Sequence, residues 1–278
     1  MLPLRHTLPR ATKRLQNMHI KALVADWDDT ITNDTIHLVA DAAYETHPDF
    51  AYPWSHFKKV YGDAYDEYAS HMPPRSTIEQ EWQYQKGLKD VEMSSVNEYV
   101  RLGLFKGVKT ETLREQAKKV VIKDGSMEVL RQLIQKGVLL RILSVNWTSI
   151  IMKEVLERNG IVVDGDQVKI YTNEFEEVDG VLNGAVAPGR NIRTGVDKEE
   201  VMKIIMQEIG LSDGVVYMGD SSTDIFALRL AHTGIIVPGG SALSTLQRLN
   251  IPTTTDLQDS DIKIKCIDSW EQLLPHIK

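Results

Sequence analysis

The apolar run Ala22-Leu23-Val24-Ala25 ends abruptly in Asp26-Trp27-Asp28-Asp29-Thr30, and this junction restricts the fold more than any other stretch. So short an apolar run reads as a buried strand. Side chains alternate along a strand, so Asp26 and Asp28 fall on one side of the chain. Like charges this close raise each other's pKa unless a cation or a shared proton lies between them. A chain that keeps both acids at the end of a buried strand must therefore supply a metal, acid–base chemistry, or both.

Any one of these acids taken alone reads as a turn or helix-cap residue. Three later segments change that reading. Residues 139–144 form a strand-like run ending in Ser144, followed by Val145-Asn146-Trp147-Thr148. Thr194-Gly195-Val196-Asp197-Lys198 puts a lysine at the start of a helical pattern. Val215–Gly219 is another buried strand, closing on Asp220-Ser221-Ser222-Thr223-Asp224. Singly, Ser144 is a cap, Lys198 a solvated lysine, and Asp220 and Asp224 turn residues. Together they supply a carboxylate nucleophile, a second carboxyl group for protons, a hydroxyl and an ammonium for phosphate oxygens, and acids for a divalent cation. Phosphoryl transfer needs this set.

In this order the four segments resemble the four motifs of the haloacid dehalogenase superfamily, from Lys21 to Trp270. The resemblance implies an α/β fold: a Rossmann-like core with a parallel sheet, catalytic residues at the strands' carboxyl ends, and an inserted α-helical bundle cap. It also implies roles. Dehalogenases lack an acid two residues after the nucleophile, whereas phosphatases and phosphomutases carry one, as Asp28 does here. Asp26 would attack phosphorus in line and form an aspartyl-phosphate; Asp28 would protonate the leaving alcohol and then activate water. Magnesium would sit on the Asp26 carboxylate, the Asp28 carbonyl and the Asp220 carboxylate, with Asp224 a ligand through water or an anchor. Ser144 and the amides beyond it, at Val145 and Asn146, would bind phosphate oxygens. Lys198 would neutralise the phosphate and Asp26. Thr30 is expected to hydrogen-bond around the Asp26 turn, and Trp27 to contribute its backbone rather than its ring.

Residues 34–121 are far more than a strand–helix–strand crossover needs. Helical spacing recurs at Ile36, Val39, Ala40 and Ala43, at Phe57, Tyr61, Tyr65 and Tyr68, from Ile78 to Leu104 with a break near Gly87, and from Thr110 to Val121. Pro48, Pro53, Pro73 and Pro74 punctuate the stretch. The pattern predicts a cap of about four helices at 34–121, inserted into a core made of 21–33 and 122–278. Residues 144–198 have room for only a helix, a strand and a hairpin at 178–184, not a second cap. Tyr61, Tyr65, Tyr68, Trp82 and Tyr84 could stack on a planar ring, but such a stripe is more often the bundle's own core. His37, His47 and His56 lack metal-ligand spacing.

Net charge −7 gives no hint of nucleic-acid binding, and no run is long enough to span a membrane. The single cysteine, Cys266, expected to be buried, cannot form an internal disulfide, which favours a reducing compartment. Cytoplasm is the expected location. Arg5, Arg10, Lys13 and Arg14, in a basic extension at 1–20, keep mitochondria open.

A cap in this position suits a small substrate that can be enclosed. The expected activity is magnesium-dependent hydrolysis of a small phosphorylated metabolite. Ser144-Val145-Asn146-Trp147 and Thr194-Gly195-Val196-Asp197-Lys198 are similar to the phosphatase domains fused to thiaminase-type proteins, which makes thiamine monophosphate the first substrate to consider. Phosphoserine-phosphatase-like and pyrimidine-nucleotidase-like members share the pattern. A phosphomutase or phosphotransferase using the same intermediate is the alternative reaction. A non-catalytic binding module is a third, disfavoured because Asp26, Asp28, Lys198 and Asp220 are all present. Monomer and homodimer are both compatible with the sequence.

Overall fold

The apolar runs form the middle of one sheet, where strands covered on both faces need apolar residues at every position. A computed structural model of the protein describes residues 19–277; nearly all of the basic stretch at 1–20 lies outside them. Strand β1 (Ala22–Ala25) is buried throughout. It is followed by α1 (Ile36–Thr46), α2 (Trp54–Ser70), α3 (Ile78–Leu102), α4 (Thr110–Gln116) and α5 (Ser126–Gln135). Then come β2 (Leu139–Leu143), α6 (Ile150–Arg158), β3 (Val168–Tyr171), β4 (Phe175–Val178), β5 (Val181–Val186) and α7 (Gly195–Ile209). The chain continues through β6 (Val215–Gly219), α8 (Ile225–Leu230), β7 (Thr233–Ile236), α9 (Ala242–Arg248), β8 (Thr253–Thr254) and β9 (Ile264–Cys266).

Seven strands make one sheet in the order β3-β2-β1-β6-β7-β9-β8, every neighbouring pair parallel. Alternate residues of β1 feed the two faces: Leu23 and Ala25 join one apolar cluster, Ala22 and Val24 the other. The order reverses between β1 and β6, and open α/β sheets form their ligand crevice at such a point, outside the carboxyl ends of the strands. The register brings the motifs there. Ala25 lies opposite Ile142 of β2 and Met218 of β6, so Asp26, Ser144 and Asp220 all emerge at one edge.

Helices α1 to α4 lie between β1 and β2, close to where the sequence places them. Helix α3 starts at a capping box, Thr77 with Gln80, and stops at Gly103 in the left-handed conformation. It is one helix of 25 residues, without the expected break at Gly87. A Cβ at that glycine would meet the Tyr68 hydroxyl at 2.2 Å, so Gly87 serves the close approach of α2 rather than a kink. Nor is 110–121 a single helix: α4 ends at Gln116 and one tighter turn runs on to Lys119. Tyr84, Leu88 and Val91 of α3 form a small cluster with Tyr61 and Tyr68 of α2, so most of the aromatic stripe is indeed that hairpin's own core. By contrast, Leu38, Val39 and Ala42 of α1 and Leu113 of α4 join the large cluster beneath the sheet.

Residues 144–198 hold only α6, β3 and the antiparallel β4–β5 hairpin, as expected. Cys266 lies in β9 and is half-buried, more exposed than expected. Among the described residues no helix is long and apolar enough to cross a membrane.

Candidate active site

Asp26 is the first residue past β1, and its backbone amide donates to Met218 O at 2.9 Å, which extends the ladder toward β6 by one step. The residue is 5% exposed. Oδ1 accepts from Trp27 N at 2.8 Å, while Oδ2 lies 2.7 Å from Lys198 Nζ. The expectation for Trp27 holds: its amide serves Asp26 and its ring is in the core.

Lys198 reaches the site because its helix begins in the right place. Thr194 caps α7 in a box with Asp197, whose Oδ2 accepts from Arg193 N and Thr194 N at 2.9 and 3.0 Å. Gly195 lets that turn press on the next motif, since a Cβ would meet Thr223 O at 2.8 Å. Lys198, in the first turn, is fully buried and also bonds Asp224 Oδ1 at 2.7 Å. Burial alone would lower the ammonium, but the carboxylates of Asp224 and Asp26 outweigh it and hold it above its usual range. Burial likewise pushes the Asp26 carboxyl well up, against the pull of Lys198.

The last motif folds onto the same point. Asp220 follows β6 and accepts from Thr30 Oγ1 at 3.1 Å. Thr30 bonds around the Asp26 turn as expected, its amide donating to Trp27 O at 3.4 Å, and its hydroxyl also reaches across the crevice to the second acidic loop. Burial, then the charge of Asp224, lifts the Asp220 carboxyl to about 6. Asp224 has both oxygens engaged. Oδ1 takes Lys198 and the Tyr217 hydroxyl, the latter at 2.6 Å. Oδ2 takes the amides of Asp220 and Ser221 and the Ser221 hydroxyl, at 3.1, 2.9 and 3.1 Å.

Asp26, Asp220 and Asp224 each offer an oxygen within 4.8 Å of the others. Three carboxylates face one buried ammonium, so a divalent cation would offset the excess negative charge. An all-oxygen donor set suits magnesium. The residues therefore fit a metal, with Asp26 and Asp220 as donors. Asp224, its lone pairs used internally, is suited to holding Lys198 and the Asp220 loop.

Asp28 has a different environment. Oδ1 accepts from the Thr35 amide and hydroxyl, both at 2.6 Å, and Oδ2 accepts from Asn146 Nδ2 at 2.8 Å. Its partners are neutral, and burial raises its pKa against their pull. Asn146 therefore serves Asp28 through its side chain. Its own amide donates to Ser144 Oγ at 3.0 Å, and Trp147 N donates to Asn146 Oδ1 at 2.6 Å. Ser144 is fully buried. Of the amides expected to receive phosphate, only that of Val145 has no acceptor within the protein, among the described residues.

Over this crevice lies α3. Gln85 accepts from Gly195 N at 3.3 Å and donates to Ser222 O at 3.2 Å, and Lys89 bonds Asp197 at 2.6 Å. The sequence reading missed Gln85, Thr35 and Tyr217. A tyrosine inside a buried run calls for a hydroxyl partner, so Tyr217 was detectable. Thr35 reads as an ordinary helix cap, yet makes no side-chain cap bond and gives its hydroxyl to Asp28.

The sequence model of haloacid dehalogenase-like hydrolases matches residues 23–229, which takes in all four motifs. The chain belongs to this family. Among its relatives, Cold tolerance protein 1 of Saccharomyces cerevisiae is 25% identical over 240 residues, covering 74% of each chain. The "Bifunctional TH2 protein, mitochondrial" of Arabidopsis thaliana is 25% identical over 164 residues, 56% of this chain. That match spans only 26% of the plant protein's length. Phosphoserine phosphatase, solved as a phospho-aspartyl intermediate analogue, superposes with a TM-score of 0.56 at 19% identity, covering 94% of this chain and 100% of that one. Cytosolic 5'-nucleotidase IIIB bound to cytidine gives 0.58 at 15% identity, covering 92% and 83%. These hydrolases share the fold of this chain.

Proposed function

We propose that this hydrolase-family member is a magnesium-dependent phosphomonoester hydrolase working through an aspartyl-phosphate on Asp26. One observation carries the reading: Asp26 and Asp28 are neighbours with opposite surroundings. Asp26 is paired with a buried ammonium at 2.7 Å, which suits an ionised nucleophile. Asp28 is held only by neutral donors with its pKa raised, which suits a group that gives up a proton and takes one back.

Asp26 attacks phosphorus, and the bond from phosphorus to the ester oxygen breaks as the Asp26–phosphorus bond forms. Asp28 gives its proton to the departing alkoxide. It then takes a proton from the water that attacks phosphorus, Asp26 is released, and inorganic phosphate leaves. Lys198 lowers the repulsion between the anionic nucleophile and the anionic ester. Asp26, the Asp28 carbonyl and Asp220 would hold a magnesium ion, which would supply further charge neutralisation at the phosphate. Ser144 shapes the loop that presents Val145 N to phosphate oxygens, and Thr35 and Asn146 aim Asp28.

Residues 34–121 act as the cap over a core of 21–33 and 122–278. A closed cap keeps water from the reacting ester. Thiamine monophosphate is the first substrate proposed, supported by the motif resemblance and by the match to part of the plant TH2 protein. The test is a phosphate-release screen over thiamine monophosphate, phosphoserine, pyridoxal phosphate and nucleoside monophosphates, with and without magnesium. Turnover that needs magnesium and vanishes in Asp26→Asn is expected; appreciable release by that variant overturns the assignment. Isomerised or transferred product in place of inorganic phosphate would establish the mutase or transferase alternative.

A further inference from the structure

Glu81 is a carboxylate that the chemistry does not use, and it is fully buried. A glutamate near a helix start usually stays at the surface, where it complements the helix dipole, as the exposed Glu79 does here. Burying the charge is costly unless it is paired and hydrogen-bonded. Glu81 is both. Oε2 accepts from Arg75 Nε at 3.0 Å and from Arg248 Nη2 at 2.7 Å, and Oε1 accepts from Gln85 Nε2 at 3.1 Å. Arg75 lies between α2 and α3, with its guanidinium 3.4 Å over the Tyr84 ring, whereas Arg248 ends α9. Arg248 also donates to the Arg75 carbonyl.

Gln85, one turn further along α3, is buried as well. Its amide has three partners, and each demands a particular end. Gly195 N only donates and so takes Oε1, while Ser222 O only accepts and so takes Nε2. Glu81 Oε1 takes the second hydrogen of Nε2. One orientation satisfies all three, and the flipped one satisfies none. Gly195 N is among the amides that a helix start leaves without an intrahelical partner, and Lys198 lies in the same first turn. Ser222 comes two residues after Asp220, whose carbonyl accepts from Ala242 N of α9 at 2.7 Å. A glutamine at position 81 could not do what the glutamate does. It would face two guanidinium groups on one side and Gln85 Nε2 on the other, all donors, with one oxygen to serve them. With that oxygen on the arginines, its NH₂ group opposes Gln85 Nε2; turning Gln85 over then sets Nε2 against Gly195 N and Oε1 against Ser222 O.

We propose that Glu81 is a positioning residue: clamped by Arg75 and Arg248, it fixes the orientation of the Gln85 amide, which joins the loop that starts the Lys198 helix to the loop that carries Asp220. The inference rests on the phosphomonoesterase reading above and adds to it a residue that touches neither the ester nor the cation.

A double-mutant cycle with p-nitrophenyl phosphate as substrate tests this. Glu81→Gln and Gln85→Leu should each lower kcat/KM about tenfold, the scale of one lost hydrogen bond. The double variant should fall no further, because Glu81 then has nothing to orient. Trp82→Phe removes a different bond between α3 and the core, from Nε1 to Glu199 at 3.0 Å, and its effect should multiply with that of Glu81→Gln. Losses from Glu81→Gln and Gln85→Leu that multiply to about a hundredfold, or a rate unmoved by Glu81→Gln, overturn the proposal and leave Glu81 as adhesion between α3 and the core. As a measurement free of turnover, exchange of the Gly195 amide proton by NMR should quicken about tenfold in Glu81→Gln, although Gln85, its acceptor, is unchanged in that variant; unchanged exchange also overturns the proposal. Should Glu81→Gln not fold, Arg248→Met at a half-buried position carries the test, with faster Gly195 exchange expected and unchanged exchange counting against the clamp. Failure of wild type to release phosphate from this ester or from those of the screen above sinks the phosphomonoesterase reading, and Gly195 exchange still decides the role of Glu81.

Discussion

Replacing Lys198 by Met removes the one ammonium that holds Asp26 and Asp224 together. Each contact is 2.7 Å long, and the lysine is fully buried. At an effective dielectric constant of about 20, each pair carries roughly 6 kcal/mol of gross attraction. Desolvation cancels most of it, and removing one partner of a buried pair costs about 3–5 kcal/mol net. The loss should depend on pH, with a definite sign. Asp26 already has its pKa raised in the folded protein, and Lys198 is what opposes the rise. Without Lys198 its folded pKa climbs further above the unfolded one. A carboxyl so shifted destabilises the folded state at neutral pH, and the penalty is relieved as pH falls through the folded value toward the unfolded one, by up to about 1.4 kcal/mol per unit. Urea unfolding of wild type and variant in chelator, at pH 7 and pH 5, reads the difference. A gap of about 3–5 kcal/mol that narrows at pH 5 is expected. A gap below about 1 kcal/mol, or one equal at both values, refutes the placement of Lys198 as the counter-charge of the site.

Asp28→Asn should lower turnover of an alkyl phosphate by about 10²–10⁴-fold. It should also leave phosphorylated Asp26 to accumulate, because the base for water is gone; a burst without steady release in rapid quench would show this. Asp220 lies at about 6 in the metal-free site, so protons compete with the cation below that pH. Magnesium affinity by calorimetry should fall about tenfold per unit beneath it, and an affinity flat from pH 5 to 7 would exclude Asp220 as a donor. Gln85→Ala removes the link from α3 to Gly195 and Ser222, at a cost of about 1–3 kcal/mol. Faster hydrogen exchange in both loops and a higher KM are expected, and unchanged exchange would count against the link.

Continuous burial explains why so much was readable. Strands β1, β2 and β6 are covered on both faces, so their apolar runs and the polar residues ending them mark the sheet and its active edge directly. The parallel register then brings Asp26, Ser144 and Asp220 together. Hydrogen-bond direction is less legible. Thr35 and Asn146 converge on Asp28 from different elements, and no local spacing encodes that meeting. Gly87 looks like a helix breaker until Tyr68 is seen beside it. Tyr61 packs in the α2–α3 hairpin as its spacing predicts, but the bond of its hydroxyl to Glu92 at 3.1 Å joins two helices and is encoded by no local pattern.

The identity of the nucleophile is tested most directly by quenching the working protein with borohydride, which reduces an acyl phosphate to an alcohol, and sequencing its peptides by mass spectrometry. Homoserine at position 26, present only with substrate and magnesium, is the predicted result. Steady phosphate release with an unmodified Asp26, or with the reduced residue at another position, would contradict it.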